Sequence, residues 1–140
     1  MKRVVWMLAL AWSLQPAGAM QRGTTELGGA FVTGGVGQEE VDALNSEKSQ
    51  YPLAILTAAK GSGAFLADVH IRITDAQSRQ VLGTVMDGPW LLVNLPAGRY
   101  QVEAVLNSRV QKSVVTIGTG DHHQTAFYFD APGEVGNDSR

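Results

Sequence analysis

The chain of 140 residues contains no cysteine, which excludes disulfide bonds, thiolate metal ligands and a lipid attached through a cysteine. It has 11 Lys and Arg residues against 13 Asp and Glu residues, a formal net charge of −2 at pH 7. This length has room for one domain, and the acidic balance argues against nucleic acid or an anionic membrane as a partner.

Residues 1–19 have the pattern of a secretory signal peptide. Two basic residues precede an apolar run at 4–14, Pro16 ends this run, and residues 17–19 read Ala-Gly-Ala, the small side chains that signal peptidase selects. The alternative is a retained membrane anchor, but this run would form a helix of only about 16 Å, roughly half of a bilayer core. We therefore expect cleavage after Ala19 and a mature chain that starts at Met20.

Export would change both the charge and the expected location. Without residues 1–19 the chain keeps nine basic and 13 acidic residues, so its net charge becomes −4. An exported domain without disulfide bonds must rely on its own core, which about 120 residues can supply. We predict a periplasmic protein of a Gram-negative bacterium, with no stable membrane insertion after cleavage.

Residues 20–50 are predicted to form a Gly-rich arm followed by a short helix. The arm has only Phe31 and Val32 as large apolar residues, so we expect an extended, partly ordered segment. Its Gly-Gly-Val-Gly run at 34–37 suggests a phosphate-binding loop, but the Gln-Glu-Glu that follows would repel phosphate. From Gln38 to about Ser49 an acidic first turn and apolar residues at i, i+3 predict a peripheral helix.

Residues 51–130 are predicted to form an all-β domain. The seven expected strands cover 51–58, part of 65–75, 81–86, 90–94, 99–106, 110–117 and 123–129. Short strands with turn signals every eight to twelve residues, without alternating helices, predict a seven-stranded antiparallel β-sandwich. Residues 131–140 have no periodicity and high polarity, so we expect a disordered tail.

The turn at residues 95–98 is the centre of this pattern. Pro96 suits the second position of a turn, and Gly98 tolerates backbone angles that other residues avoid. After the turn, Tyr100 and Val102 alternate with polar residues, which predicts that they face the core. We expect the structural turn and core to include Leu95, Pro96, Gly98, Tyr100 and Val102.

The run from Leu95 to Ala104 resembles the Leu-Pro-x-Gly-x-Tyr-x-Val-x-Ala signature of the carboxypeptidase regulatory-like domain, which has a transthyretin-like fold. The stretches Ala67-Asp68-Val69 and Asp75–Arg79 are similar to two earlier features of that family, and the likeness covers about Leu53–Phe129. The segment FVTGGVGQEEVDAL looks like the start of small exported bacterial proteins that carry this domain. The resemblance implies a transthyretin-like sandwich and a non-catalytic role, since nothing of a carboxypeptidase catalytic lobe is present.

Two side-chain groups are candidates for chemistry. Asp68, His70 and Arg72 follow one another at i, i+2 and i+4, which predicts one outward face of a strand and allows an anion or proton-transfer site. The transthyretin-like fold also includes 5-hydroxyisourate hydrolase, but that family ends in Tyr-Arg-Gly-Ser, and the last strand here does not. We therefore rank hydrolase activity third and expect a solvated surface.

The second group is Asp121-His122-His123, with His70 as a further metal ligand. Adjacent residues in a strand point to opposite faces, so both histidines would bind one ion only if His122 belonged to the turn. We interpret these residues as the polar entrance to a strand. We predict no catalytic, cofactor-binding or metal-binding residues, and we expect these histidines to be exposed and dispensable.

The leading functional hypothesis is a non-enzymatic binding or accessory module that meets another protein of the cell envelope. The runner-up is a module that binds glycan or cell-wall material. For either role, Trp90 at a strand entry and Tyr128, out of phase with its apolar neighbours, are candidate surface-contact aromatics.

Overall fold

The computed structural model describes residues 20–130, so the expected signal peptide and the expected tail at 131–140 lie outside the described residues. In chain order the elements are β1 (Gln21–Thr24), β2 (Ala30–Gly34), α1 (Gln38–Glu47), a short 3-10 helix (Lys48–Gln50), β3 (Leu53–Ala59), β4 (His70–Thr74), β5 (Gln80–Val85), β6 (Trp90–Val93), β7 (Gly98–Leu106), β8 (Arg109–Ile117) and β9 (His123–Phe129).

The strands form two sheets, which confirms the prediction of an all-β fold. One sheet has five strands in the order β1-β2-β6-β3-β9, and the other has four in the order β5-β4-β7-β8. The described chain therefore has nine strands, and the expected number of seven is wrong. The expected antiparallel arrangement is also wrong at one place, since β3 and β9 run parallel, with Leu53 opposite His123.

The two additional strands come from the Gly-rich arm, which was expected to lack a stable element. β1 and β2 form an antiparallel hairpin, and β2 also pairs with β6, with Phe31 opposite Val93. The Thr33 hydroxyl accepts a hydrogen bond of 2.9 Å from the Asp87 N–H. The composition of the arm gives it little intrinsic strand preference, but the unpaired edge of β6 offers a complete ladder of backbone hydrogen bonds.

The main core lies between the two sheets. Its residues alternate along the strands with outward-facing ones, as in any sandwich of two sheets. Leu95, Tyr100 and Val102 are all buried in it. The largest fully buried side chains of this core include Leu53, Ile55, Ile71, Ile73, Leu91 and Phe129. The edge strands β8 and β9 of the two sheets are joined by the Gln111 side-chain amide, which donates a hydrogen bond of 2.6 Å to the Tyr128 carbonyl.

A second, smaller cluster lies under α1 on the outer face of the five-stranded sheet. Leu44 of the helix is 2% exposed and packs with Val32, Tyr51, Ala54 and Leu92. This confirms that the helix docks on the domain through its apolar side. A bidentate ion pair from Arg22 to Glu47, at 3.0 and 2.7 Å, ties β1 to the end of the helix.

Two turns connect the strands that carry the family resemblance. Residues 94–97 join β6 in one sheet to β7 in the other, and the Gly98 φ of 157° is one that residues with a Cβ rarely adopt. At the β7–β8 hairpin, Asn107 and Ser108 have φ values of 51° and 69°. Positive φ at both central residues is what a type I′ turn requires, so this hairpin has the twist that its strands need.

Candidate functional site

A row of three valines and one histidine crosses the outer face of the four-stranded sheet. Because Ile71 is in the core, its neighbour His70 points outward, and the register places His70 between Val85 and Val105. Val105 in turn lies opposite Val110 of β8. We call Val85, His70, Val105 and Val110 the valine row. Val85 is 44% exposed and Val110 is 51% exposed, so the row is open to solvent from one edge strand to the other.

A charged row runs parallel to the valine row, one step further along the strands. Arg72 lies between Gly83 and Glu103, and Glu103 lies opposite Lys112. The Arg72 Nε and the Glu103 Oε1 are 3.4 Å apart, and both side chains remain in contact with water. This surface therefore combines charges of both signs with exposed apolar side chains.

A groove of about 370 Å³ lies between the two rows. Gly83 contributes no side chain to the charged row and lines the groove with its backbone, and the flexible end of Gln80 lies 2.7 Å from where its Cβ would be. The walls include His70, Arg72, Val85 and Glu103. We call this feature the Gly83 groove. A recess of this volume has room for a large side chain.

The structure brings together only two of the three residues considered for proton transfer. His70 and Arg72 both line the Gly83 groove, whereas Asp68 does not. Asp68 precedes β4 and has a φ of 65°, and its N–H donates to the Met86 carbonyl over 2.9 Å. The expected alignment of the three side chains along one strand is therefore wrong, because the strand begins only at His70.

The three histidines do not meet. His70 lies opposite Val105, near the end of β7, in the four-stranded sheet. His122 and His123 follow the turn after Ile117, which pairs with the first residue of β7, and His123 belongs to the other sheet. Within residues 20–130, no group of three His, Cys, Asp or Glu residues is placed to hold a metal ion.

The Gly-Gly-Val-Gly run binds a carboxylate of its own chain. The N–H groups of Gly35 and Val36 donate to the Glu40 Oε1 over 3.0 and 3.1 Å. Backbone donors of this kind form anion-binding concavities. Here Glu40 of α1 occupies them, so these donors stabilise the start of the helix and are not available to a phosphate group.

The two candidate surface aromatics lie in different surroundings. Trp90 is half-buried beside the second cluster, and the Lys48 ammonium lies 4.2 Å from the centroid of its ring. Tyr128 of β9 is 48% exposed on the outer face of the five-stranded sheet. One face of the Trp90 ring is thus covered by a cation, while the Tyr128 ring remains open to a ligand.

The sequence did not predict the Gly83 groove, nor that residues of β5 and β8 join His70 and Arg72 in the two rows. Val85 of β5 stands in a different segment of the sequence from Val110 and Lys112 of β8, and the alternation within each segment predicts only which face of a strand they take. Which residues become neighbours depends on the register between strands, which the sequence pattern does not contain.

Compared with protein-family models, the chain matches none, and no curated protein sequence is significantly similar to it. Within the part of the chain that the structure describes, no helix is long and apolar enough to cross a membrane.

Proposed function

We propose that the chain is a non-enzymatic binding or accessory module of the bacterial cell envelope, exported to the periplasm, and that it contacts a partner protein through the outer face of the four-stranded sheet. The valine row carries this proposal. Exposed apolar side chains scattered singly need no explanation, but here three valines lie in one row that crosses four strands, interrupted only by His70. Burial against a partner would remove these valines from water.

The charges on the same face indicate the chemistry of the partner. Arg72, Arg99 and Lys112 occupy outward positions, and Glu103 is the acidic residue among them. The face therefore has an excess of positive charge in a chain whose net charge is negative. Complementary potentials steer association and exclude wrong partners, so we expect the partner surface to be acidic around its apolar contacts.

The family resemblance agrees with a binding role. We propose that the sandwich is of the transthyretin-like type found in carboxypeptidase regulatory-like domains. The two-sheet architecture, the crossover at 94–97 and the buried Tyr100 support this proposal. The β1–β2 hairpin and α1 lie before Leu53 and so outside the stretch that carries this resemblance.

A pull-down from envelope extract with matched variants tests the partner surface. Val110→Glu puts a negative charge in the valine row, while Val36→Glu makes the same change at a loop residue that is 52% exposed, almost the same as the 51% of Val110. We expect one protein to co-purify with the wild type and with Val36→Glu, and to be lost with Val110→Glu. Reconstitution with the purified partner then gives the affinities.

The outcome that contradicts the proposal is equal capture of that partner by all three proteins. A further variant, Gly83→Val, fills the groove without changing the charge, and we expect it to weaken the same interaction. Circular dichroism and thermal melts of each variant establish that the fold is intact before binding is compared.

The second candidate function, glycan binding, is supported by the exposure of Tyr128. A phenol ring open to solvent can stack on a sugar ring. Retention of the wild type on peptidoglycan or polysaccharide, with release of Tyr128→Ala, would favour this function over a protein partner. Tyr128→Phe keeps the ring and serves as the control.

A further inference from the structure

A separate cavity of about 390 Å³ lies on the other sheet, between the end of α1 and the start of β9. Asn45, Lys48 and Ser49 line one wall, and His122 and Gln124 line the opposite wall. Ligand sites occupy about 300–1,000 Å³, so this cavity suits a ligand of monosaccharide size. It shares no residue with the Gly83 groove.

The floor of the cavity is apolar and buried. It includes Ala54 of β3 and Tyr51, which are both buried and belong to the second cluster under α1. These residues already have their native neighbours, so a ligand that enters the cavity needs no rearrangement below it. A preformed apolar floor with polar walls is the usual organisation of a small-molecule site.

The histidine wall is held by hydrogen bonds to the segment before β3. The His122 Nδ1 is 3.0 Å from the Tyr51 carbonyl oxygen, and the His123 N–H donates to the Pro52 carbonyl over 2.8 Å. A carbonyl oxygen only accepts, so the His122 Nδ1 carries the proton. In a neutral ring the Nε2 is then an acceptor, which suits a ligand hydroxyl.

The opposite wall brings a positive charge. None of the residues that line the cavity has a carboxylate, and within residues 20–130 Lys48 has no ion pair. Its sequence neighbour Glu47 is bound to Arg22 through both carboxylate oxygens. The Lys48 ammonium instead lies over the Trp90 ring, so its side chain is fixed beside the cavity while its charge remains without an anion.

We propose that this cavity binds a monosaccharide-sized ligand that carries a carboxylate, of the hexuronic acid class. Lys48 meets the carboxylate, the amide and hydroxyl groups of Asn45, Ser49 and Gln124 meet ring hydroxyls, and Tyr51 and Ala54 contact the apolar side of the ring. The proposal does not depend on a protein partner, because the valine row lies on the other sheet.

The test compares two probes that differ only in the carboxylate. Isothermal titration calorimetry of the full chain with sodium glucuronate and with glucose measures the contribution of the charge. We expect glucuronate to bind, and to bind at least about tenfold more tightly than glucose, as expected for a charge-assisted hydrogen bond. Acetate, which has the carboxylate without the ring, should bind more weakly than glucuronate.

Variants assign the binding to the cavity. Lys48→Met should lower the affinity for glucuronate about tenfold, Lys48→Arg should restore most of it, and Gln124→Ala should weaken the binding of both sugars. Lys60→Met removes the same charge from an exposed turn outside the cavity and should leave the affinity unchanged. Equal affinities for glucuronate and glucose would overturn the assigned role of Lys48. Absence of binding by either sugar at millimolar concentration would overturn the site.

Discussion

The Tyr100 hydroxyl donates a hydrogen bond of 2.8 Å to the carbonyl oxygen of Pro96, four residues earlier in the chain. Tyr100 is the third residue of β7, and Pro96 lies in the crossover from β6 in the other sheet. The bond therefore fixes the crossover against Tyr100, the first buried residue of the strand that follows it. It also gives the buried phenol its hydrogen-bond partner.

We expect Tyr100→Phe and Tyr100→Ala to separate the hydrogen bond from the packing. Loss of the hydroxyl should cost about 1 kcal/mol of the free energy of unfolding, whereas loss of the ring should cost about 3–5 kcal/mol because it leaves a cavity in the core. Urea denaturation gives both values. Tyr128→Ala, at an exposed position, should stay within about 0.5 kcal/mol of the wild type. Equal midpoints for wild type and Tyr100→Ala would contradict the burial of Tyr100.

The same residue predicts a loss of stability at high pH. Burial, followed by the charge of Asp75, raises the pKa of Tyr100 above its usual value of 10.0. The folded state then keeps its proton longer than the unfolded state, so this stabilisation is complete below the unfolded pKa and is lost as pH rises through the folded pKa. The free energy of unfolding, measured by urea denaturation at increasing alkaline pH, should therefore fall more steeply for the wild type than for Tyr100→Phe.

The ion pair between Arg22 and Glu47 should stabilise mainly the β1–β2 hairpin. The hydrogen bonds that Glu47 accepts from Arg22 lower the pKa of Glu47 in the folded state. The stabilisation is therefore present above the pKa that Glu47 has in the unfolded state, and it is lost as pH falls through the folded pKa. Because both side chains contact water, we expect Glu47→Gln to cost at most about 1 kcal/mol at neutral pH, and nothing once the pH lies well below the folded pKa of Glu47. Glu39→Gln, in the first turn of α1, is the control. Hydrogen exchange should show the loss in β1 and β2, and a uniform change across both sheets would contradict the local role.

Gly88 is required where the hairpin meets the loop before β6. A Cβ at this position would lie 2.5 Å from the Gly34 carbonyl oxygen, and backbone atoms on both sides leave no room for movement. We expect Gly88→Ala to cost about 1–3 kcal/mol, in the range of an overpacked core. At Gly83 the Cβ would meet only the flexible end of Gln80, so Gly83→Ala should be close to neutral. Thermal melts of the two variants measure the difference, and equal melting temperatures would mean that β2 does not approach this loop.

Zinc should leave the melting temperature unchanged. His70 and the pair His122 and His123 lie at opposite ends of the sandwich and in different sheets, so one ion cannot bind all three. The triple substitution of these histidines by alanine should also keep the melting temperature within a few degrees. A ligand that binds only the folded state must raise it. A zinc-dependent rise that disappears in the triple variant would contradict this prediction.

The sequence pattern was sufficient to predict strands that pair with their neighbours in the chain. The strict alternation after Gly98 and the Asn107-Ser108 turn predict β7, β8 and their hairpin, which the structure contains. β1 and β2 were missed because glycines flank the short run Phe31–Thr33 and break the strand pattern. These strands form through pairing, β2 with β6 and β1 with β2.

The candidate site divides in the same way. Alternation around Ile71 predicts that His70 and Arg72 face outward, and they do. The Gly83 groove arises from the register of β4 between β5 and β7, which no single segment of the sequence specifies. The resemblance concerns the turn and the core, and it offers no guide to this surface.

The parallel pairing of β3 with β9 has a consequence for the order of events during synthesis. The pair joins Leu53 to His123, so the five-stranded sheet stays incomplete until nearly all of the described chain has left the ribosome. Contacts between distant parts of a chain form slowly, because closure of the intervening loop costs entropy before the contact is made. A chain that folds late stays unfolded for longer and can pass through a translocation channel. This suits a protein that we propose is carried across a membrane before it folds.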